Sequence, residues 1–260
     1  MPVARHSAPR EELPTMGLLQ HLEELRNRIL WSLVALVVAF LPCWYFIEPI
    51  CDFLEAPIKP FLTDGRELAV TSVTEAFLVK FKVAALVSLF LAAPWVLYQL
   101  WRFVAPGLYR REKMYAIPFI GAGTLFFLAG GAFAYYVAFP MAVEFLLGMG
   151  ERYMLLITAR SYLGFLMTMI LGLGLMFELP IFIFLLCAIG VTSPGFLMRH
   201  FRWAVVLIFI AAAIITPTPD MVNLMIFALP TLALYLLGVG VAALFLRRRR
   251  ARAAAAEEPA

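Results

Sequence analysis

Six apolar runs, separated by shorter stretches rich in charge and proline, divide the chain. The first, Ile29 to Ile47, is long enough to cross a bilayer as a helix, which takes about 20 residues. A polar stretch from Glu48 to about Glu75 follows, an external loop expected to be partly helical. The second run, about Ala76 to Val104, stops at Pro106-Gly107, and Lys80 and Lys82 near its start can snorkel to the interface. The third, Ile117 to Phe139, ends at Pro140; the fourth, about Tyr162 to Ile189, is interrupted by Glu178 and Pro180. Phe201 to Ile215 is short, roughly 22 Å of helix against a hydrocarbon core of about 30 Å, which predicts local thinning or tilt. A tight turn at Thr216-Pro217-Thr218-Pro219-Asp220 leads into the last run, Met221 to Leu246, which contains Pro230. The pattern predicts an all-α polytopic membrane protein with six transmembrane helices: a polar tail over 1–16, a membrane domain over 17–246, and a basic, alanine-rich tail over 247–260.

Composition agrees with lipid as the solvent. Hydrophobic residues make up 63% of the chain and the mean hydropathy is +0.91, whereas soluble domains are about 45–50% apolar. Charge adds an orientation: fifteen Lys and Arg flank the spans on the side of both termini and six on the other, so both ends are expected in the cytoplasm. Arg247 to Arg250 and Arg252, directly after a span, read as an anchor facing anionic lipid, not as a nucleic-acid site. Met1 to Met16 lacks the apolar core of a signal peptide. Cys43, Cys51 and Cys187 are too scattered for a disulfide framework or metal site. No fixed-period repeat and no matching halves with broken helices stand out.

Several polar residues need a reason. Leu18, Leu22, Leu25 and Ile29 recur at helical spacing around His21 to Arg28, so this segment should be a helix entering span one. Glu24 and Arg28, four apart, read first as a surface ion pair of small energy. The segment Phe103 to Lys113 reads first as a basic cytoplasmic loop with one acid, Glu112. A second reading makes Glu24 and Glu112 two carboxylates on one face that grip a partner's guanidinium groups, since the planar fork pairs bidentately with carboxylate. Glu178, within a span, is a functional candidate; its alternative is a protonated acid bonded to a carbonyl freed by Pro180. Glu75 and Asp220 precede spans on the outer side, where an acid stabilises a helix N-terminus. Nucleophile, zinc and nucleotide motifs do not occur, so no catalytic residue, metal or cofactor is expected.

Taken in order, five motifs resemble the TatC family, the multispanning subunit of the twin-arginine protein translocase: H-L-E-E-L-R-x-R at His21 to Arg28, T-S-x-x-E-A-F at Thr71 to Phe77, F-V-A-P-G-L-Y-x-x-E-K at Phe103 to Lys113, F-E-L-P at Phe177 to Pro180, and T-P-T-P-D at Thr216 to Asp220. The resemblance spans roughly residues 17 to 246 and implies a concave, glove-like bundle in the bacterial cytoplasmic membrane. It implies a receptor for twin-arginine signal peptides of folded precursors, working with TatA- and TatB-like single-span partners, self-associating in a larger complex, and exporting cargo with the proton-motive force. By this resemblance Glu24 and Glu112 receive the arginines, Arg26 belongs to the same motif, and Phe103, Pro106, Leu108 and Tyr109 shape the site. Glu178 matches the acid of the membrane groove, Asp220 the acid opening span six, and Pro57, Glu75 and Phe77 the external-loop positions. Leu224 and Leu236 stand where members often carry Gln and Glu. The rival readings are a proton-coupled secondary transporter using Glu178 and Asp220, and an intramembrane enzyme, which lacks any pairable nucleophile and base.

Overall fold

A computed structural model describes residues 18–61, 68–104, 116–150, 156–216, 218 and 220–257. Helix α1 (Leu18–Tyr45) carries the His21 to Arg28 segment without a break into the first apolar run. After Phe46, α2 (Ile47–Glu55) lies in the polar stretch and is amphipathic: Ile47, Cys51 and Leu54 are buried, while Glu48 and Asp52 face outward. A 3-10 turn, Ala56–Phe61, follows it. The end of α2 is held from outside, because the carbonyls of Phe53 and Leu54 accept the hydroxyls of Tyr135 (2.5 Å) and Tyr162 (3.0 Å).

Helix α3 (Val73–Val104) accommodates Pro94, and α4 (Ala116–Phe133) passes through a π-helical turn, Ala134–Ala138, directly into α5 (Phe139–Met149). The third span therefore does not end at Pro140. That proline occupies the first turn of α5, where its missing N–H costs little, and the wide turn before it takes up the break in hydrogen bonding. The fourth span is α6 (Ala159–Phe177) and α7 (Leu179–Ala188), joined at Glu178, with Thr158 capping α6 by accepting from Ser161 N–H. Short α8 (Pro194–Arg199) leads to α9 (Phe201–Ile215), whose limits coincide with those of the fifth apolar run. The last helix, α10 (Met221–Glu257), continues as helix through Arg247 to Arg250.

Five stretches are long and apolar enough to cross a membrane, Leu22–Tyr45, Val73–Phe103, Pro118–Met149, Ala159–Ala188 and Met221–Arg248, and α9 adds a shorter sixth. The six-span, all-helical architecture read from the sequence is the one observed. Helix α3 is central: α1 lies along it, and α4 and α6 pack on it and on each other, while α10 packs on α7 and α9. Leu166, Met169, Leu173 and Phe227 form the fully buried middle. Two glycines set the closest approaches to a neighbouring backbone. A Cβ at Gly130 would stand 2.7 Å from the Leu173 carbonyl oxygen, and one at Gly238 would stand 2.7 Å from Pro180 Cα. Lipid tails give apolar helices no drive to associate, so close backbone approach of this kind holds them together. At the edge, α1 has only 11% of its spanning window buried, and it exposes Leu33, Val37 and Leu41 to lipid.

Candidate functional site

One face of the bundle carries α2; the opposite face carries the start of α1 and the end of α3. On that opposite face, the four-residue spacing brings Arg28 Nη2 to Glu24 Oε1 at 2.8 Å. The pair differs from the free surface pair suggested by the sequence. Its side chains are only 18% and 17% exposed, and Arg28 Nη1 also donates to Oε1 of Gln99 on α3 at 3.4 Å. Gln99 is 3% exposed. Glu24 Oε2 and Arg28 Nε are buried and have no hydrogen-bond partner among the described residues. The contact is thus end-on, using one carboxylate oxygen where a guanidinium fork could use two.

One turn beyond Gln99, α3 ends beside the segment expected to complete the site. Buried Trp101 meets Phe119 of α4 in a tilted ring contact at 4.7 Å and packs against Leu185 of α7, so the two helices that flank residues 105–115 are held together. Arg102 lies over the Tyr98 ring, 5.7 Å from its centroid. Phe103 is half-buried at the end of α3, and Arg26 is exposed on α1. Pro106, Leu108, Tyr109 and Glu112 lie outside the described residues. The structure therefore brings the amino-terminal motif to the root of the Phe103 motif through Arg28 and Gln99.

Within the membrane, Glu178 sits where α6 gives way to α7 and faces a cavity of about 320 Å³. Its walls are apolar, among them Ala93, Leu97, Phe127 and Ile181. Glu178 Oε1 is buried and makes no hydrogen bond among the described residues. Room for the carboxylate comes from Gly123 on α4, where a Cβ would stand 3.3 Å from Glu178 Oε2 and 3.2 Å from Leu97 Cδ1. An acid left without a partner in apolar walls costs free energy in the isolated chain.

On the α2 face, Glu75 is 4% exposed and acts differently from a simple cap. From the first turn of α3 its carboxylate accepts from Thr71 N–H (2.8 Å), the Thr71 hydroxyl, and Arg160 N–H at the start of α6 (3.3 Å). A two-bond backbone bridge runs alongside, Ala69 N–H to Ile157 O at 3.1 Å and Ala159 N–H to Ala69 O at 2.9 Å. Glu75 thus ties the approach to α3 onto the head of α6. Phe77 is exposed in an aromatic group with Trp44 (5.7 Å) and Phe81 (6.3 Å), and Pro57 lies in the 3-10 turn. Asp220 is the cap expected: Oδ1 accepts from Asn223 N–H at 2.7 Å and Oδ2 from the Asn223 amide at 2.8 Å. Burial pushes the Asp220 carboxyl up, but hydrogen bonds from the Asn223 backbone, Thr218 and the Asn223 amide prevail and hold it below its ordinary range. Among the described residues no group of three or more His, Cys, Asp or Glu is placed to hold a metal ion.

Gln99 and Asn223 were missed by sequence reasoning. Each is a lone amide in an apolar run, and the rule that made Glu178 a candidate would have marked both.

Six spans, with carboxylates at one end of the bundle, in an apolar cavity and at the turn before the last helix, define a multispanning membrane protein. The family model "Sec-independent protein translocase protein (TatC)" matches residues 20–230, and the chain belongs to the TatC family. A Sec-independent protein translocase protein TatC from Koribacter versatilis (strain Ellin345) is 43% identical over 246 residues, covering 94% of this chain and 91% of its own length. The protein of that name from Escherichia coli (strain K12) is 37% identical over 226 residues, covering 86% and 87%. A crystal structure of the twin arginine translocase receptor TatC superposes with a TM-score of 0.75 at 32% identity, covering 86% of this chain and 98% of that one. The chain is accordingly a membrane-embedded protein translocase component, of a family of receptors and not of enzymes.

Proposed function

We propose that this chain is the twin-arginine signal-peptide receptor of a bacterial inner-membrane translocase. Glu24 and Glu112 would take the arginines of folded precursors on the cytoplasmic side, with Arg26, Phe103, Pro106, Leu108 and Tyr109 shaping the approach. The observation that carries this reading is the half-buried Glu24 carboxylate at one end of the bundle, whose Oε2 is buried and unpartnered among the described residues. A guanidinium is always charged, so its complement has to be a fixed carboxylate on the side where precursors arrive. The apolar part of the signal peptide would then lie against the spans, where burial contributes about 25 cal/mol per Å².

The fifteen-to-six bias of basic residues supports cytoplasmic termini. With that orientation the 1–16 and 247–260 tails are cytoplasmic and flank the 17–246 membrane domain. Glu178, unpartnered in its apolar cavity, suits a polar side chain on a TatA- or TatB-like single-span partner in a larger, self-associated complex. A proton-carrying transporter built on Glu178 and Asp220 is less well supported, because both oxygens of Asp220 are already engaged in capping α10.

The experiment is photocrosslinking of a twin-arginine peptide to probes beside Glu24 and Glu112 in membranes, repeated with each acid changed to Ala. Loss of one charge-assisted contact costs about 1.5–3 kcal/mol, roughly a ten- to hundredfold drop in affinity. Crosslinking unchanged in both variants would overturn the site.

A further inference from the structure

The one guanidinium at the Glu24 carboxylate among the described residues belongs to the chain itself. We propose that Arg28 is an in-chain stand-in for the incoming arginine: it occupies a guanidinium seat made by Glu24 on α1 and Gln99 on α3, and the signal peptide binds by exchange with it. The inference rests on the reading of Glu24 as an arginine receptor and adds the seat's second wall and its resting occupant.

Three observations carry it. Arg28 bridges both walls, with Nη2 on Glu24 Oε1 at 2.8 Å and Nη1 on Gln99 Oε1 at 3.4 Å. Those two acceptors sit on different helices and point at one cation. Gln99 is a lone amide, 3% exposed, whose oxygen faces the seat. The fit is also incomplete: Glu24 Oε2 and Arg28 Nε are buried without partners among the described residues. The spacing explains this shortfall. A donor anchored four residues along the same helix approaches its carboxylate end-on, whereas an arginine arriving on a separate peptide is free to lie side-on and satisfy both oxygens.

Exchange sets a threshold for entry to the seat. With Arg28 in place the Glu24 charge is neutralised, and a cation that offers only point attraction has nothing to gain by entering. A lysine ammonium is such a cation, strongly hydrated and unable to fork. A guanidinium that forms the two-oxygen contact improves on the resident one and displaces it. The released Arg28 has a stem long enough to carry its charge to the lipid phosphate level. Arg28 thus raises the threshold for every ligand by the same factor, and the ligand with the weaker contact is the first to fall below it.

The test measures binding of fluorescent twin-arginine and Lys-Lys peptides to the full-length protein in nanodiscs by anisotropy. Arg28→Gln is expected to tighten the twin-arginine peptide about tenfold, the factor for a seat open roughly a tenth of the time. It should tighten the Lys-Lys peptide by the same factor, because a resident that must leave first multiplies every ligand's dissociation constant equally. Gln99→Leu should weaken the twin-arginine peptide in the Arg28→Gln background, where no resident cation shares the loss. Should Arg28→Gln fail to yield folded protein, Arg28→Lys serves, with the same direction and a smaller change. If Arg28→Gln or Arg28→Lys weakens both peptides equally, Arg28 only orients Glu24 and the exchange is refuted. Unchanged twin-arginine binding when Gln99→Leu is added to Arg28→Gln refutes the seat. Glu24→Gln separates the two levels. If it leaves twin-arginine binding intact, the receptor reading itself fails; if it abolishes binding while Arg28→Gln changes nothing, only the exchange fails.

Discussion

Glu75 offers the most quantitative test of how the α2 face is held together. Replacing it with Ala removes one carboxylate that accepts from Thr71 N–H, the Thr71 hydroxyl and Arg160 N–H. Hydrogen bonds to a charged acceptor contribute about 1.5–3 kcal/mol when buried. Here the donors belong to residues that are themselves exposed, so water can replace the carboxylate, and the Arg160 contact is long at 3.3 Å. The expected loss is therefore nearer the cost of one good contact than of three, about 2 kcal/mol. Part of the link survives, because the Ala69 bridge to Ile157 and Ala159 does not involve Glu75. Local opening should be felt before global unfolding. Hydrogen–deuterium exchange, read at the amides of Thr71 and Arg160 in detergent micelles, should quicken about 30-fold, with little change in the middle of α6. Glu75→Gln, which keeps one acceptor oxygen, should fall between. If exchange at both amides is unaltered in Glu75→Ala, the backbone bridge alone holds the loops and the linking role of the carboxylate is wrong.

Other expectations follow from the packing and the charges. Gly130→Leu should block the approach of α4 to the Leu173 carbonyl and lower the thermal midpoint, while Gly121→Leu, with nothing within 4 Å of its Cβ, should not; equal effects in thermal melts would contradict the packing argument. Glu178→Leu should stabilise the isolated chain by about 1–3 kcal/mol in denaturation, since it removes an unpaired polar group, and should abolish export if the proposed partner contact is made there. A drop in stability would mean that Glu178 is already satisfied. For Asp220, the folded carboxyl titrates lower than the unfolded one, so its stabilisation is full above the ordinary carboxylate range and fades as pH falls through the lowered value. Asp220→Asn should remove that part of the acid sensitivity, as measured by melts across acidic pH.

Much of the fold could be read from hydropathy alone, because lipid obliges each spanning segment to be a helix. The limits of α9 needed nothing more than the apolar run itself. Reading failed where a local rule met a tertiary compensation. Pro140 was expected to end a helix and instead follows a π-helical turn that lets the chain continue to Met149. Glu24 and Arg28 were legible as a pair, but their burial depends on Gln99, 71 positions further along. Glu75 was legible as a helix-start acid, yet its furthest contact, Arg160 N–H, comes from another span. Spacing reports partners on the same helix and is silent about those on the next one.

The edge position of α1 has a mechanical side. Its neighbour along the membrane is chiefly α3, and most of its surface already faces lipid, so sliding or tilting exchanges one apolar surface for another of nearly equal free energy. Specific contacts mark its two ends: Phe40 and Trp44 against Phe81 at one, Arg28 on Gln99 at the other. A helix pinned at two points behaves as a lever. Releasing the Arg28 pin would free the end nearest the arginine seat to swing while the aromatic end acts as the pivot, so the occupancy of one small polar site can be converted into displacement of a whole span.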